Sequence, residues 1–258
     1  MAPTFKYQRF AFLDNIEMFT SENETDYFPF HLHDYYCISL ITRGTESLQT
    51  QASTHYALTG SISVTQANEV HRNGSVDQSG YSYQTIYLNP DLLRYYNNGR
   101  PVHNLERVIE NKQTVNLISN LFENDLSSLA TLGLAIQSLI QHSCTIKQEK
   151  SYSFDLMDEL IANAGFNRLS LDWVAKQFCM SKYHFIRRFK SAKGITPQVY
   201  VMLRRLENAK NMLFNGEEIK TAAFMNGFYD ATHLNTAFKR YFGINALAIK
   251  NSNIIHQG

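Results

Sequence analysis

The pattern of apolar and polar positions is most regular in residues 169–194, where two short helices are expected. In the first, Ser170 is suited to be an N-cap, and apolar residues recur after it at helical spacing. They are Leu171, Val174, Ala175 and Phe178. The second helix is expected between Ser181 and Gly194, and its inward residues are Phe185, Phe189 and Ala192. Two short helices joined by a tight turn predict a helix-turn-helix unit.

The opposite face of the second helix is basic. It carries Tyr183, Ile186, Arg187 and Lys190, with Lys182 and Arg188 beside them. A capped helix with a basic outer face is typical of a recognition helix, which enters the DNA major groove N-terminus first. An ordinary solvated face on a helical hairpin is the alternative, since basic helix faces are common.

A second pair of helices with the same arrangement is expected near the C-terminus. The first of them is lined by Ile219, Ala222, Ala223 and Asn226. After a turn at Gly227, Asp230 is suited to cap the next helix. Its inward residues are Leu234, Ala237, Phe238 and Tyr241, and its outward residues are Ala231, Thr232, Asn235, Thr236 and Lys239.

A long helix is expected between the two units. Thr196 as N-cap and Pro197 at the first helical position open it, and Asn215-Gly216 closes it. Such a helix spans about 27 Å. It could hold two recognition helices close to one duplex turn apart, about 34 Å.

Residues 1 to about 98 predict short strands separated by turns. The segments Tyr35–Ile41, Ser61–Thr65 and Tyr81–Leu88 are rich in β-prone residues or alternate in polarity. Several short strands at close spacing favour a barrel or sandwich. Which tyrosines of these strands point inward stays open, because a slip of one residue reverses every assignment.

The stretch from about residue 102 to 145 is expected to be helical. One apolar pattern begins at Leu105, Val108 and Ile109 and runs on to Phe122, and a second runs from Leu129 to Ile140. These helices either pack only against the strands or also form a dimer face. A polar stretch follows, and residues 147–153 are assigned to a linker.

Composition places the chain among soluble globular proteins long enough for two domains, with 258 residues, 44% hydrophobic and 18% charged. The longest apolar stretch is too short to span a bilayer, and no signal-peptide pattern is expected at the N-terminus. The cysteines Cys37, Cys144 and Cys179 are scattered and lack metal-ligand spacing. A cytoplasmic protein with reduced thiols is expected.

The formal net charge of +1 conceals an asymmetry. Residues 1–149 carry a net charge of −6, and residues 150–258 carry +7. A basic C-terminal half is typical of a protein that binds the phosphate backbone. No phosphate-binding Gly-rich loop, Gly-x-Ser-x-Gly elbow or zinc-finger spacing occurs in the sequence.

Several of these motifs together resemble the DNA-binding domain of AraC-type transcription regulators. They are SKYHFIRRFKSAKGITPQVY within Leu169–Tyr200, RRLENAKNML at Arg204–Leu213 and GFYDATHLNTAFKRYFG at Gly227–Gly243. The resemblance covers about a hundred residues and implies two recognition helices in successive major grooves. It assigns base contacts to Tyr183, Ile186 and Arg187 and to Ala231, Thr232, Asn235 and Thr236. The chain departs from the family at Ala246, where a proline is usual, and lacks the Tyr-Arg pair that usually follows.

The N-terminal half resembles the cupin-like effector domain of the same regulators. His31 and His33 are expected two apart on one strand, and with His71 they resemble part of a cupin metal-ligand set. The first possible fourth ligand, Glu46, lies beyond Gly44 and belongs on the next strand. The favoured interpretation is a metal-free pocket or simple structural roles for the histidines. The resemblance implies that such a pocket holds an organic effector, with His31, His33, Tyr35 and His71 as polar contacts.

The sequence thus predicts an α+β chain of two domains. A cupin-like β-barrel followed by helices occupies residues 1–146, with a helical dimerisation segment at about 102–145. An all-α domain with two helix-turn-helix units joined by a long helix occupies residues 154–258.

The resemblance implies a bacterial regulator in the cytoplasm, at the nucleoid, that binds promoter DNA and a small-molecule effector and activates through RNA polymerase. Whether the protein forms a homodimer stays open. No catalytic residue, cofactor or metal is assigned, so an enzyme is not expected. One alternative is a metal-dependent cupin enzyme fused to a DNA-binding domain. Another is a DNA-binding regulator without effector, whose barrel serves only to dimerise.

Overall fold

The computed structural model describes residues 4–10, 16–124, 126, 129–143, 156–166, 169–251 and 253–255. Its contacts divide the chain into two compact units. The first comprises residues 1–27, 32–147 and 252–258, and the second comprises residues 28–31 and 148–251. The sequence-based boundaries differ from this division at residues 28–31 and 252–258. The expected linker, 147–153, lies outside the described residues.

Two sheets form the body of the first unit. The strands are β1 (Thr4–Phe10), β2 (Ile16–Glu24), β3 (Tyr36–Arg43), β4 (Thr45–Thr50), β5 (Thr54–Leu58), β6 (Ile62–Thr65), β7 (His71–Ser75), β8 (Tyr81–Leu88), β9 (Val108–Ile109) and β10 (Asn253–Ile255). The larger sheet has the order β10-β1-β2-β8-β3-β6-β9, and the smaller has the order β5-β4-β7. Pairing is antiparallel except between β1 and β10, which are parallel. The expected strands at 35–41, 61–65 and 81–88 are therefore present as β3, β6 and β8.

One face of the larger sheet is apolar and packs against helices. These helices are α1 (Pro90–Tyr96), α2 (Lys112–Glu123) and α3 (Leu129–Ile140). Ile38, Ile86 and Leu88 of the sheet share one core with Ile118 and Ile136 of the helices. Because side chains alternate along a strand, the other face presents the residues between these.

We call this other side of the larger sheet the inner face. It carries mainly hydroxyl and aromatic side chains on its central strands, among them Ser21, Ser39, Ser63, Tyr81, Tyr83 and Thr85. Those six residues are buried, and Ser39 Oγ lies 2.7 Å from Thr85 Oγ1. The inward register of the β8 tyrosines, which the sequence left open, is fixed by this pairing.

The expected helix through Leu105, Val108 and Ile109 is wrong. Val108 and Ile109 form β9, whose residues pair with Ser63 and Ile62 of β6. The helix α2 begins only at Lys112, after the N-cap Asn111, whose Oδ1 accepts a hydrogen bond from Thr114 N. Backbone pairing with a distant strand prevails over the helical spacing of three apolar residues.

The second unit is helical. Its helices are α4 (Leu156–Ala164), α5 (Leu171–Gln177), α6 (Lys182–Lys193), α7 (Pro197–Phe214), α8 (Ile219–Met225), α9 (Ala231–Phe242) and α10 (Ala246–Lys250). Pairs α5–α6 and α8–α9 form the two expected helix-turn-helix units, and α7 is the expected long helix with Thr196 as its N-cap. None of the described helices is both long and apolar enough to cross a membrane.

The expected inward position of Ala192 is wrong. Phe185 and Phe189 of α6 are fully buried, but Ala192 is exposed. The helix stops at Gly194, which has φ +77°, and the next buried side chain is Ile195. The turn after the helix, rather than its last turn, therefore completes this part of the core.

Candidate DNA-binding surface and effector site

The helix α6 is defined at both ends by local hydrogen bonds. Ser181 Oγ accepts from His184 N, at 3.4 Å, and Gly194 N donates to Lys190 O, at 2.8 Å. The Phe185 ring stacks against Phe178, the C-cap residue of α5, with centroids 5.1 Å apart. The apolar side of α6 is thereby fixed to its own unit, which leaves the other side facing solvent.

The solvent-facing side of α6 carries the residues expected to contact DNA. Tyr183 is 84% exposed, Arg187 and Lys190 are exposed, and Ile186 is partly buried. Lys182 Nζ lies 3.0 Å from Asp172 Oδ2 of α5. Lys182 therefore forms an ion pair with Asp172, and a DNA phosphate would have to compete with Asp172 for its ammonium group.

The helix α9 repeats this arrangement with a less basic surface. Asp230 Oδ1 accepts from His233 N at 2.7 Å, and the four expected inward residues are buried. Thr232, Thr236 and Lys239 are exposed, and Ala231 and Asn235 are partly buried. Thr236 Oγ1 donates to Thr232 O at 2.9 Å, and Asn235 Oδ1 accepts from Ala246 N at 2.9 Å. Part of the hydrogen-bonding capacity of Asn235 is therefore used to hold α10.

The long helix α7 anchors elements on both sides of it. Near its start, Tyr200 OH donates to Asp158 Oδ1 of α4 at 2.7 Å, and Arg204 Nε donates to the same oxygen at 3.0 Å. Burial is the main cause that raises the pKa of Tyr200 well above its ordinary value. Further along, Asn208 Nδ2 donates to Oδ1 of Asn226, the C-cap residue of α8, at 2.7 Å. The helix α4 and the second helix-turn-helix unit are thus each tied to α7.

The structure brings together two of the three histidines expected at the effector site, His33 and His71 of the first unit. The third, His31, belongs to the second unit. His31 and His33 are not on a strand, contrary to expectation, since β3 begins only at Tyr36. His71 is the first residue of β7, and its Nδ1 lies 2.9 Å from Glu69 O. A carbonyl oxygen only accepts, so Nδ1 of His71 carries the proton.

The fourth expected effector contact, Tyr35, lies in the bend before β3 and is partly buried. The ring of His33 lies 5.4 Å from that of His71 and 5.8 Å from that of Tyr87, between centroids. Tyr87 is at the C-terminal end of β8 and shares its face with Tyr81, Tyr83 and Thr85. The pair His33 and His71 therefore lies at one end of the inner face.

Sequence reasoning missed a polar cluster at the other end of the inner face. Glu46 of β4 is fully buried, and its Oε1 accepts from Asn73 Nδ2 of β7 at 2.8 Å. Burial raises the pKa of the Glu46 carboxyl, and hydrogen bonding from Ser63 and Asn73 partly offsets this. The signal in the sequence is the strand TESLQT, where Glu46 is two residues from the apolar Leu48 and therefore lies on the same face of the strand.

Comparison with known families matches both units. The family model described as the AraC-like ligand binding domain matches residues 15–149, and the model of a helix-turn-helix domain matches residues 174–251. The chain belongs to the AraC-type family of transcription regulators. It is accordingly a regulator with an N-terminal ligand-binding domain and a C-terminal helix-turn-helix DNA-binding domain.

The sequence similarity to known regulators covers most of the chain. The HTH-type transcriptional regulator YbfI of Bacillus subtilis is 26% identical over 236 residues, 85% of this chain and 86% of YbfI. The HTH-type transcriptional activator RhaS of Escherichia coli O81 is 26% identical over 237 residues, 83% of this chain and 84% of RhaS. A crystal structure of ToxT from Vibrio cholerae with a bound unsaturated fatty acid has a TM-score of 0.58, covering 100% of this chain and 97% of ToxT at 11% identity. The ToxT likeness shows that the fold is shared.

Proposed function

We propose that this AraC-family member binds promoter DNA through α6 and α9 and that a small-molecule effector bound by the first unit changes that binding. The observation that carries the proposal is the surface of α6, where Arg187, Lys190 and the 84% exposed Tyr183 face solvent on a helix anchored by buried Phe185 and Phe189. Base contacts are assigned to Tyr183, Ile186 and Arg187 of α6 and to Ala231, Thr232, Asn235 and Thr236 of α9. Lys182, Lys190 and Lys239 are assigned to the phosphate backbone.

Comparison of two α6 variants on two kinds of DNA tests this assignment. The protein first selects its preferred site from a random duplex library, and affinity is then measured on that site and on a scrambled duplex. Arg187→Ala should cost about 1–3 kcal/mol on the selected site and little on scrambled DNA, because a bidentate contact to guanine is specific to sequence. Lys190→Ala should weaken both complexes alike and make the dependence on salt shallower, because it removes a phosphate contact.

The matched control for these variants is Lys176→Ala, which removes a cation from the exposed surface of α5. It should leave the preference for the selected site unchanged. Equal losses for Arg187→Ala on both duplexes would reassign Arg187 to the backbone. Failure of the wild-type protein to enrich any sequence would contradict the proposal as a whole.

For the first unit we propose an effector pocket on the inner face, with His33, Tyr35 and His71 as contacts at one end. The close approach of His33 and His71 supports this, since convergent polar groups mark binding sites. ToxT is only 11% identical to this chain, so its fatty acid does not indicate which effector this chain binds. The chemical class of the effector has to be inferred from the residues of the inner face. By thermodynamic linkage, an effector that alters DNA binding has to be bound with changed affinity when DNA is present.

We further propose that the regulator acts in the bacterial cytoplasm as an activator that contacts RNA polymerase. The similarity of the chain to the transcriptional activator RhaS supports activation rather than repression. Transcription in vitro with purified RNA polymerase, from a promoter that carries the selected site, shows whether the protein activates or represses. A rise in transcript with regulator and effector is expected, and a fall would make the protein a repressor.

We also propose that the chain has no catalytic activity. Glu46, the carboxylate that the sequence offered as a fourth metal ligand, pairs with Ser75, four residues along β7 from His71. At about 3.3 Å per residue this is roughly 13 Å. Metal analysis of protein purified without chelators should give no stoichiometric metal. A metal that is retained by the wild type and lost from His71→Ala would favour the enzyme instead.

A further inference from the structure

The outer side of α9 differs from that of α6 where a recognition helix meets the base pairs. Such a helix enters the major groove with its N-terminal residues. In α9 these are Ala231 and Thr232, and Thr236 follows one turn later. The cations of this helix, Lys239 and Arg240, lie in its last turn. The first half of α9 therefore brings neither lysine nor arginine to the groove.

The polar side chains in this half of α9 are engaged within the second unit. Thr236 Oγ1 donates a hydrogen bond to Thr232 O at 2.9 Å. His233 Nδ1 accepts from Tyr229 N at 3.3 Å, and the His233 ring lies edge-on to Phe228 with centroids 5.3 Å apart. The hydroxyl donor of Thr236 and one ring nitrogen of His233 are thus used to hold the helix and the turn before it.

Asn235 is restricted in a similar way. Its Oδ1 accepts a hydrogen bond from the N–H of Ala246, a residue that is fully buried. A bidentate contact of asparagine with adenine uses both the side-chain oxygen and the side-chain nitrogen. Such a contact would compete with the bond to Ala246, and a buried N–H left without a partner is unfavourable. Bidentate recognition of adenine is therefore disfavoured on α9.

Methyl groups remain as the main feature of the outer side of α9. Ala231, Thr232 and Thr236 each carry one, and the two threonines are exposed. The surface before the helix is also apolar, since Tyr229 is 93% exposed and Phe224 of α8 is 73% exposed. Among the four bases of DNA, thymine presents a methyl group in the major groove. Contact between two methyl groups removes apolar surface from water, which is favourable.

We propose that α9 selects thymine through contacts of the Thr232 and Thr236 methyl groups with the thymine 5-methyl group. The preferred DNA site then has two unlike halves about one duplex turn apart, one with a guanine read by Arg187 and one rich in thymine. The inference rests on the proposed binding of DNA through α6 and α9 and adds to it the base that α9 recognises. Because a methyl contact carries no charge, it adds specificity without adding to the salt dependence.

The first test removes methyl groups from the DNA. The full-length protein selects its site from a random duplex library, and the half whose preference survives Arg187→Ala is assigned to α9. The thymines of that half are then replaced by uracil, which lacks only the 5-methyl group. Affinity should fall about fourfold for each methyl group removed from a contact. Replacing the paired adenines by 7-deazaadenine, which lacks the N7 acceptor, should leave the affinity unchanged.

The second test removes methyl groups from the protein. Thr232→Ser and Thr236→Ser each keep the hydroxyl and lose one methyl group. Each variant should bind the thymine site about fourfold more weakly and should respond less to uracil than the wild type does, because one partner of the contact is already missing. A merely structural role would weaken binding to both DNAs alike. Thr221→Ser, at an exposed threonine of α8, is the matched control and should respond to uracil as the wild type does.

Four results would overturn the inference. They are a second half without thymine, an affinity that uracil leaves unchanged, a response to uracil that persists in full in both serine variants, and a loss with 7-deazaadenine in place of uracil, which would assign the recognition to Asn235. Each of them leaves the proposed binding through α6 standing, because the loss for Arg187→Ala reports on it separately. A protein that enriches no sequence would contradict the proposed function and this inference with it.

Discussion

The carboxyl group of Glu46 is the most deeply buried acidic side chain among the described residues, at 1% exposed. Its burial raises its pKa in the folded protein. Below the ordinary carboxyl pKa near 4.5, Glu46 is protonated in both the folded and the unfolded chain, so burial carries no ionisation penalty. As the pH rises above that value, Glu46 loses its proton first in the unfolded chain. The free energy of unfolding therefore falls progressively until the pH passes the raised pKa of the folded state.

Glu46→Gln should therefore melt at a higher temperature than the wild type at pH 7, and the two should converge near pH 4. Each tenfold change in the acid dissociation constant corresponds to about 1.4 kcal/mol, so the difference is measurable by thermal unfolding at a series of pH values. Glu110→Gln, which changes an exposed carboxylate, is the control for the loss of one acidic group. A difference for Glu46→Gln that does not change with pH would mean that burial does not raise the pKa of the Glu46 carboxyl.

Between elements, one side chain of α9 forms a hydrogen bond with the backbone of α10. Asn235 Oδ1 accepts a hydrogen bond from the N–H of Ala246, the first residue of α10. A proline, usual in the family at this place, has no N–H and could not form it. The preceding Asn245 has φ −87° and ψ 162°, which a following proline tolerates. Ala246→Pro should therefore keep the helix and remove only this link.

A double-mutant cycle tests the link. Asn235→Ala should cost about 0.5–1.5 kcal/mol in the wild type, the usual value of one hydrogen bond, and much less when combined with Ala246→Pro. Unfolding in denaturant is followed through Trp173, the single tryptophan, which lies in the second unit. Thr232→Ala on the same helix should be additive with Ala246→Pro within about 0.5 kcal/mol. Additivity for Asn235→Ala would show that the hydrogen bond does not contribute.

At the scale of the whole molecule, the α2–α3 face is the candidate for association with a second copy of the chain. Leu134 is 56% exposed and Leu129 is 52% exposed on α3. Leu134 and Leu117 of α2 line a shallow groove together with Gln113 and Gln137. Exposed leucines around a groove are a typical feature of an interaction surface. The sequence left packing and dimerisation as alternatives for these helices, and the exposed leucines favour dimerisation in addition to packing.

Leu134→Glu should convert a dimer into a monomer in sedimentation velocity experiments at micromolar concentration, because it places a charge in the apolar contact. Leu247→Glu, at the 50% exposed Leu247 of α10, is the matched control and should leave the sedimentation coefficient unchanged. A monomeric wild type, or a dimer that tolerates Leu134→Glu, would locate any association elsewhere.

Features that depend on short-range interactions were predictable from the sequence. The helix caps Ser170, Ser181, Thr196 and Asp230 all accept hydrogen bonds from residues three positions ahead, so their chemistry is contained in a few neighbouring residues. The same holds for the inward faces of α5 and α9, because helical spacing alone places their apolar residues together. The family resemblance rests on these local features, and the comparisons confirm it.

Features that depend on distant partners required the tertiary structure. Val108 and Ile109 became a strand because β6 offered backbone hydrogen bonds, and the β8 tyrosines acquired their direction from pairing with β2 and β3. Glu46, Asn73 and Tyr81 lie on three strands, and no spacing in the sequence indicates that they meet. The sequence by itself determined the helix-turn-helix units, since these follow from interactions between near neighbours. The tertiary structure decided the polar inner face, because strand register is set by partners far apart in the chain.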